Sequence, residues 1–398
     1  GIDRMYSVDV PDDMSESISL RIVDNDRGFE RKSPQVSSLY VDMAYIVFEP
    51  ALEYFIGESP FDIPTGTDCL RIADIDNDAQ NEVYFTYQMP DSGPIKYYEY
   101  TDGIWAESTV AGLSVQGWVQ VEDIDADGDN EFLTMEIRPN DEFWLGYHKY
   151  DSNQDLWIYH PIGQLLIVHR VVVGNIDDDP EYEVVASKDP CDGYELKYFD
   201  SVPGTDDWLE INHRTWPYYT TGLELANIDS DDANEIFWLG NSAEFPVGES
   251  ALKYFDIVNG NWVEHNILSV DSGECMDIGD ADNDGDIEIV IGHYLYPERE
   301  NQVRIYEYAG EDWSESIVSD LTEALGPIYH VAIGDVDHDD DGKNEIVIGL
   351  FDDGVGLANE TIRYYEKDTG EWVEHKVTDT DMTVAVLQIG DVDNDGEN

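Results

Sequence analysis

The stretch Met276-Asp277-Ile278-Gly279-Asp280-Ala281-Asp282-Asn283-Asp284-Gly285-Asp286-Ile287-Glu288-Ile289-Val290-Ile291-Gly292 decides how this chain is read. Its first residues alternate apolar and polar and end on a small residue, as a strand with one packed face does. A β-branched run closes it, again strand-like. Between the two lie carboxylates at every second position. Side chains at loop positions 1, 3, 5 and 9, with a backbone carbonyl at position 7, can converge on one hard cation. Calcium takes about 6–8 oxygens, and the same Asp-x-Asp-x-Asp logic opens an EF-hand loop. Without a cation, such carboxylates repel one another at contact distance.

The pattern recurs along the chain, and recurrence governs the whole fold. The candidate ligands are Asp74, Asp76, Asp78, Gln80 and Glu82, then Asp123, Asp125, Asp127, Asp129 and Glu131. The third loop offers Asn175, Asp177, Asp179, Glu181 and Glu183, and the fourth Asn227, Asp229, Asp231, Ala233 and Glu235. The fifth has Asp280, Asp282, Asp284, Asp286 and Glu288. A longer sixth copy carries Asp335, Asp337, Asp339, Asp341, Lys343 and Glu345, and the seventh Asp391, Asp393, Asp395 and Glu397. Successive loops start 49, 52, 52, 53, 55 and 56 residues apart. One period before the first, Asp24 to Glu30 reads as a decayed copy with Ile22 at its first ligand position.

The copies differ in ways that bear on binding. Asn175 and Asn227 replace the first Asp, which removes ligand charge. Pro180 and Asp232 stand where Gly285 eases the turn, so strain is expected there. The sixth loop has two registers, beginning at Asp335 or at Asp337. Calcium is the expected ion, one per intact loop. Magnesium demands a tighter octahedron, and zinc or iron would want His and Cys clusters that the loops lack.

Farther along each period comes an aromatic residue followed by an acid, then a Trp. Tyr98-Glu99 precedes Trp105, Phe255-Asp256 precedes Trp262, Tyr306-Glu307 precedes Trp313 and Tyr365-Glu366 precedes Trp372. Turn residues between them predict a hairpin. One period is then four strands, the content of one propeller blade. The expected fold is an all-β propeller of seven or eight four-stranded blades in a single domain over 1–398. Tyr6 to Ile18 is expected to be the outer hairpin (residues 3–20) of a closing blade whose inner strand lies near 383–390, a closure that favours eight. The Trp and Tyr stripe is expected to pack between blades. The chain stops inside its seventh motif at Asn398, which suggests a longer protein.

With 41% hydrophobic residues the chain can build a large core despite 20 basic against 89 acidic residues and a net charge of −69. That field excludes nucleic acid as a partner. Seven divalent ions would offset only 14 of these charges, and the rest suits a halophilic surface. No run of 18 apolar residues exists, so no membrane span is expected. Cys69, Cys191 and Cys275 are too few and too scattered for a disulfide framework.

The loops and their flanking strands resemble the FG-GAP and VCBS-type repeats of integrin α-subunit propellers and microbial surface proteins. Gly279–Glu288 and Gly390–Gly396 match the Gly-Asp-x-Asp-x-Asp-Gly form best, and the Phe-Gly and Gly-Ala-Pro signatures are weak. The resemblance implies a non-catalytic, extracellular or cell-surface, calcium-binding module for adhesion, scaffolding or assembly. Its partners would be a protein or glycan at the cell surface, or other copies of itself. Eight-bladed calcium propellers among rhamnogalacturonan lyases keep a polysaccharide lyase, or a lectin-like binder, as alternatives. Nine histidines without shared spacing form no catalytic pattern. Arg71, Arg170, Glu224, Asp277 and His330, three to five residues before their loops, could face a central channel.

Overall fold

The computed structural model of the chain describes residues 5–7, 19–21, 44–48, 67–87, 92–101, 104–116, 119–138, 142–165, 168–177, 179, 181–188, 194–202, 205, 207–216, 218–228, 233–242, 249–258, 260–295, 300–310, 312–321, 327–336, 343–350, 362–378 and 384–391. Among these, every regular element is a β-strand.

Three short strands come first: β1 (Met5–Ser7), β2 (Ser19–Arg21) and β3 (Ala44–Phe48). Six four-stranded antiparallel sheets follow, each ordered as in the chain. The first holds β4 (Thr67–Ala73), β5 (Glu82–Tyr87), β6 (Ser92–Thr101) and β7 (Ile104–Gln116). The second holds β8 (Val119–Glu122), β9 (Glu131–Arg138), β10 (Glu142–Asp151) and β11 (Leu156–Gln164). The third is β12 (Val168–Gly174), β13 (Glu183–Lys188), β14 (Tyr194–Ser201) and β15 (Trp208–Trp216). The fourth is β16 (Tyr218–Ala226), β17 (Glu235–Ser242), β18 (Glu249–Val258) and β19 (Asn261–Asp271). The fifth comprises β20 (Gly273–Gly279), β21 (Glu288–Leu295), β22 (Glu300–Tyr308) and β23 (Trp313–Leu321). The sixth comprises β24 (Ile328–Gly334), β25 (Glu345–Leu350), β26 (Ile362–Asp368) and β27 (Glu371–Thr378), and β28 (Val384–Ile389) ends the series. In every sheet the acidic loop joins the first strand to the second.

The sheets pack face to face with their first strands adjacent: β16 touches β12 and β20, and β24 touches β20 and β28. Strand β4 touches both β8 and β28. This is a β-propeller. Its apolar clusters lie between neighbouring sheets rather than within them. One joins Val290, Val303 and Ile305 of the fifth sheet to Ile328, Ile346 and Tyr365 of the sixth. Another joins Leu223, Ile236 and Trp238 of the fourth to Val185 and Tyr198 of the third. A second strand is therefore covered on both faces, and β25 is buried along its whole length. This explains why Ile346-Val347-Ile348 does not alternate. The outer strand β23 is mostly exposed.

Two sequence signals become packing contacts. The glycine that precedes several of the loops lies under the next first strand. A Cβ on Gly334 would come within 2.8 Å of Ile389, and one on Gly390 within 3.2 Å of Ile72. The Trp stripe bridges sheets: Trp208 meets Tyr147 at 6.3 Å and Trp262 meets Tyr198 at 6.1 Å, both edge to face. Such geometry adds about 0.5–1.5 kcal/mol beyond area burial.

At the chain's ends, β1 pairs antiparallel with β2, and β28 pairs in parallel with β3. The decayed copy from Ile22 to Glu30 lies outside the described residues.

Candidate metal centres

Each loop is built by its own carboxylates before any ligand is considered. The first Asp folds the turn: Asp74 accepts from the amides of Asp78 at 3.1 Å and Ala79 at 2.9 Å. Asp123 does the same with Asp127 and Gly128, both at 3.0 Å, and Asp280 with Asp284 and Gly285, both at 3.1 Å. The fifth position accepts from the seventh. Asp78, Asp127 and Asp284 take the amides of Gln80, Asp129 and Asp286 at 3.0 Å. The turn needs left-handed backbone at its fourth and sixth positions. Asn77 and Asn283 have φ of 62° and 63°, and Gly128 and Gly285 have φ of 94°. In the third loop Asp177 instead accepts from Asp179, and Asp179 from Glu181.

The closing Glu is the repeat's most constant element. It is buried in all six sheets: Glu82, Glu131, Glu183, Glu235, Glu288 and Glu345 are 0–3% exposed. One oxygen of each accepts from the amide of the loop's second residue, at 2.7–3.0 Å. The other oxygen of Glu82 and of Glu183 is buried with no hydrogen-bond partner, as are Oδ1 of Asp125 and of Asp282. Buried oxygens of this kind are costly unless a cation or proton completes them.

Four loops gather three carboxylates whose oxygens lie within 4.8 Å of one another. These are Asp74, Asp76 and Asp78; Asp123, Asp125 and Asp127; Asp177, Asp179 and Glu183; and Asp280, Asp282 and Glu288. Their electrostatics match. Burial, with Asp76 near, pushes the Glu82 carboxyl up to about 8. Burial together with Asp125 raises Glu131 to about 8, and burial together with Asp177 raises Glu183 to about 8. Burial and Asp282 bring Glu288 to about 7. Without a cation these loops hold protons at neutral pH. The all-oxygen donor sets and partnerless buried oxygens fit a hard divalent ion.

Other expected ligands are placed only in part. In the fourth loop Asn227, Ala233 and Glu235 are described, while Asp229 and Asp231 lie outside the described residues. The same holds for Asp337, Asp339 and Asp341 of the sixth loop, beside the described Asp335, Lys343 and Glu345. Of the seventh loop only Asp391 is described, not Asp393, Asp395 or Glu397. The seventh-position residues Gln80, Asp129, Glu181 and Asp286 contribute amides to the turns, and Gln80 also gives its side-chain Nε2 to Asp78 at 3.0 Å. Pro180 and Asp232 lie outside the described residues.

Several groups beside the loops were not foreseen as part of them. The hydroxyl of Tyr97 donates to Asp76 at 3.2 Å, and that of Tyr198 to Asp177 at 3.0 Å. Burial, with Asp177 and Asp179 beside it, raises Asp200 to about 6. Lys149 donates Nζ to Asp125, and to Asp127 at 2.6 Å. For Asp200 and Lys149 the signal is the cross-strand register, which sets them opposite the closing Glu183 and Glu131 as Glu307 stands opposite Glu288.

The first strands also bring charges together. Arg170 gives Nη2 to the carbonyl of Thr221 at 3.1 Å, and Glu224 interacts with Asp277, Arg170 and Arg71. Burial, then Asp277, raises the Glu224 carboxyl. Asp277 accepts from the amides of Ile333 at 2.7 Å and Ile278 at 2.9 Å, so it ties the fifth sheet to the sixth. Cys275 is buried and free, and Cys69 and Cys191 carry no described side chain. Among the described residues no helix is long and apolar enough to cross a membrane.

No protein-family model matches the chain, and no curated protein does. Among solved structures it is similar to the Dos1 propeller, at 10% identity and TM-score 0.47, over 86% of this chain and 85% of that one. It is similar to YjhT at 13% identity and TM-score 0.43, over 79% and 98%. It is also similar to the exotype rhamnogalacturonan lyase YesX at 13% identity and TM-score 0.41, over 79% of this chain and 65% of the lyase.

Proposed function

We propose that the chain is a calcium-loaded, non-catalytic propeller that works outside the cell or at its surface as an adhesion, scaffold or assembly module. The observation that carries this reading is the closing Glu. Its buried carboxylate accepts from the amide of the loop's second residue in every described sheet, and in the first and third loops its other oxygen has no partner. An arrangement repeated sheet by sheet serves the architecture rather than one reaction centre. Calcium at about ten times the dissociation constant of a loop would add about 1.4 kcal/mol per site. Extracellular modules bind calcium in the range of about 10⁻⁴–10⁻³ M, which suits a saturated structural role outside the cell.

The same reading counts the ring as seven-membered, one loop for each first strand. Support comes from β28, which touches both β24 and β4, and from Gly390 lying against Ile72. The resemblance to FG-GAP and VCBS-type repeats belongs to this reading, carried by the loop pattern. Thermal unfolding with calcium and with a chelator, at low and at molar KCl, tests it. A large calcium-dependent rise in Tm at low salt is the expected result. Folding that responds to molar salt alone would reduce the loops to acidic turns.

A second reading, a polysaccharide lyase or lectin-like binder, draws on the charges of Arg170, Glu224 and Asp277 on the adjacent first strands β12, β16 and β20, with Arg71 of β4 interacting with Arg170 and Glu224. A uronate-bearing polymer is the ligand class these arginines would suit. Cleavage of pectic polymers by the intact protein, lost in Arg170→Ala, would establish it. Binding without turnover would favour the lectin-like form.

A further inference from the structure

We infer that the second loop carries its own cation, the ammonium of Lys149, and takes up no divalent ion. The inference rests on the calcium reading for the other loops. Its first support is positional. Tyr98 faces Val83 across β5 and β6, which sets Glu99 opposite Glu82, and Phe199 faces Val184, which sets Asp200 opposite Glu183. Ile236 with Phe255 and Ile346 with Tyr365 likewise set Asp256 opposite Glu235 and Glu366 opposite Glu345. Glu307 faces Glu288 directly. Five sheets therefore oppose an acid to the closing Glu, an unfavourable pair unless positive charge lies nearby. In the second sheet His148 faces Phe132, so the residue opposite Glu131 is Lys149.

The second support is contact. Lys149 Nζ reaches Asp125, lies 2.6 Å from Asp127 and 3.8 Å from Glu131, and so touches the third, fifth and ninth positions of one loop. Those are three of the positions a divalent ion would use. Lys367 offers a contrast. It comes from the sixth sheet to Asp282 of the fifth loop and touches that one carboxylate, where Lys149 touches three. A bound ion could displace it without opposing charge across the strand pair. Seating a divalent ion would break all three of the Lys149 contacts and set the ion against an ammonium that the strand register holds opposite Glu131. The loop with one of the most complete ligand sets by sequence is thus closed by a residue 18 positions beyond its end.

The test counts calcium per folded chain by equilibrium dialysis and elemental analysis, for the wild type, Asp125→Asn, Asp76→Asn and Lys149→Met. Asp76→Asn should weaken or remove one ion, Asp125→Asn should leave the count unchanged, and Lys149→Met should gain one. In chelator, Lys149→Met should melt several degrees below the wild type and regain that loss with calcium. Loss of one ion in Asp125→Asn would overturn the inference, and it needs no change at Lys149. If the wild type binds no calcium, the parent reading falls, and the chelator melts then decide: a lowered Tm in Lys149→Met upholds the ammonium as the loop's cation, and an unchanged Tm rejects it.

Discussion

Asn81 donates its side-chain Nδ2 to the carbonyl of Asp391, 310 positions later in the chain, at 2.9 Å. The same bond recurs between consecutive sheets. Asn130 reaches the carbonyl of Asp74 at 2.8 Å, Asn234 that of Asn175 at 2.9 Å and Asn344 that of Asp280 at 2.9 Å. Each Asn immediately precedes a closing Glu, and each acceptor is the first residue of the loop before it. Where the neighbouring loop has Asn at its fourth position, the bond is returned: Asn283 donates to the carbonyl of Asn344 at 2.9 Å and accepts its amide at 2.7 Å. The loops are thus fastened to one another along one face of the ring, and Asn81 to Asp391 is the fastening across the seam.

Removing these fastenings should cost stability in proportion to the bonds each makes. Asn81→Ala should lower unfolding free energy by about 1 kcal/mol, the net worth of one such bond. Asn130→Ala should also cost about 1 kcal/mol, because its side chain makes the one bond to the Asp74 carbonyl while its backbone bonds to the Asn77 side chain are kept. Denaturant unfolding in saturating calcium measures both. Equal, negligible effects would mean that apolar packing alone holds neighbouring sheets together.

The metal-free protein should lose stability as pH rises. Glu82, Glu131 and Glu183 sit near 8 when folded against an ordinary 4.5, so the folded state holds protons that the unfolded chain releases. Their contribution is fully present below about pH 4.5 and disappears as pH climbs through 8. In chelator, Tm should therefore fall between roughly pH 5 and 8, counting these groups alone. With calcium the shares of Glu82 and Glu183 should disappear while that of Glu131, in the loop closed by Lys149, should remain, and apparent calcium affinity should rise over the same window. A pH-independent Tm in chelator would show that the carboxylates stay ionised without a metal.

The residues before the loops offer a steric comparison. A Cβ on Gly334 would stand 2.8 Å from Ile389, whereas one on Gly279 would meet Ile333 at 3.4 Å, ordinary contact. Gly334→Ala should cost about 1–2 kcal/mol through overpacking, and Gly279→Ala close to nothing. Thermal melts of the two variants read the difference directly. The comparison tests whether Gly334 and Ile389 are in contact, and hence whether β28 sits beside the sixth sheet.

Much of this architecture was legible because the constraints are local and periodic. Alternation before Asp280, the β-branched run after Glu288 and the turn before Trp313 each report one strand boundary, and repetition multiplies the signal. The small residue before most of the loops marked a strand with one packed face, although only the fold shows that its neighbour is the next first strand. The Asn fastening was hidden because an Asn beside a Glu in an acidic loop reads as an ordinary solvated residue. Its partner lies a full period away or more. Lys149 was hidden for a different reason. The loop pattern scores ligands within nine residues, and the group that completes the second loop arrives from the facing strand. The parallel pairing of β28 with Ala44–Phe48 had no sequence signal, since β28 belongs to the seventh repeat but Ala44–Phe48 lies in no intact repeat.

The sixth position of each loop yields a prediction about backbone strain. Gly128 and Gly285 take φ of 94° there, and Ala79 is forced to 71° in the first loop. All three amides make the same bond to the first Asp, at 2.9–3.1 Å, so the turn is kept whichever residue is present. A side chain in left-handed backbone costs about 1–2 kcal/mol, part of which glycine returns through a freer unfolded chain. Ala79→Gly should therefore stabilise by about 0.5–1 kcal/mol and tighten calcium at the first loop. Gly128→Ala should destabilise by about 1 kcal/mol, and no neighbour lies within 4 Å to add a clash. Because Lys149 already fills the second loop, Gly128→Ala should change stability alike in calcium and in chelator, whereas the gain from Ala79→Gly should be larger in calcium. Denaturant unfolding of both variants under the two conditions separates the outcomes, and a larger Gly128→Ala effect in calcium would place an ion in the second loop after all.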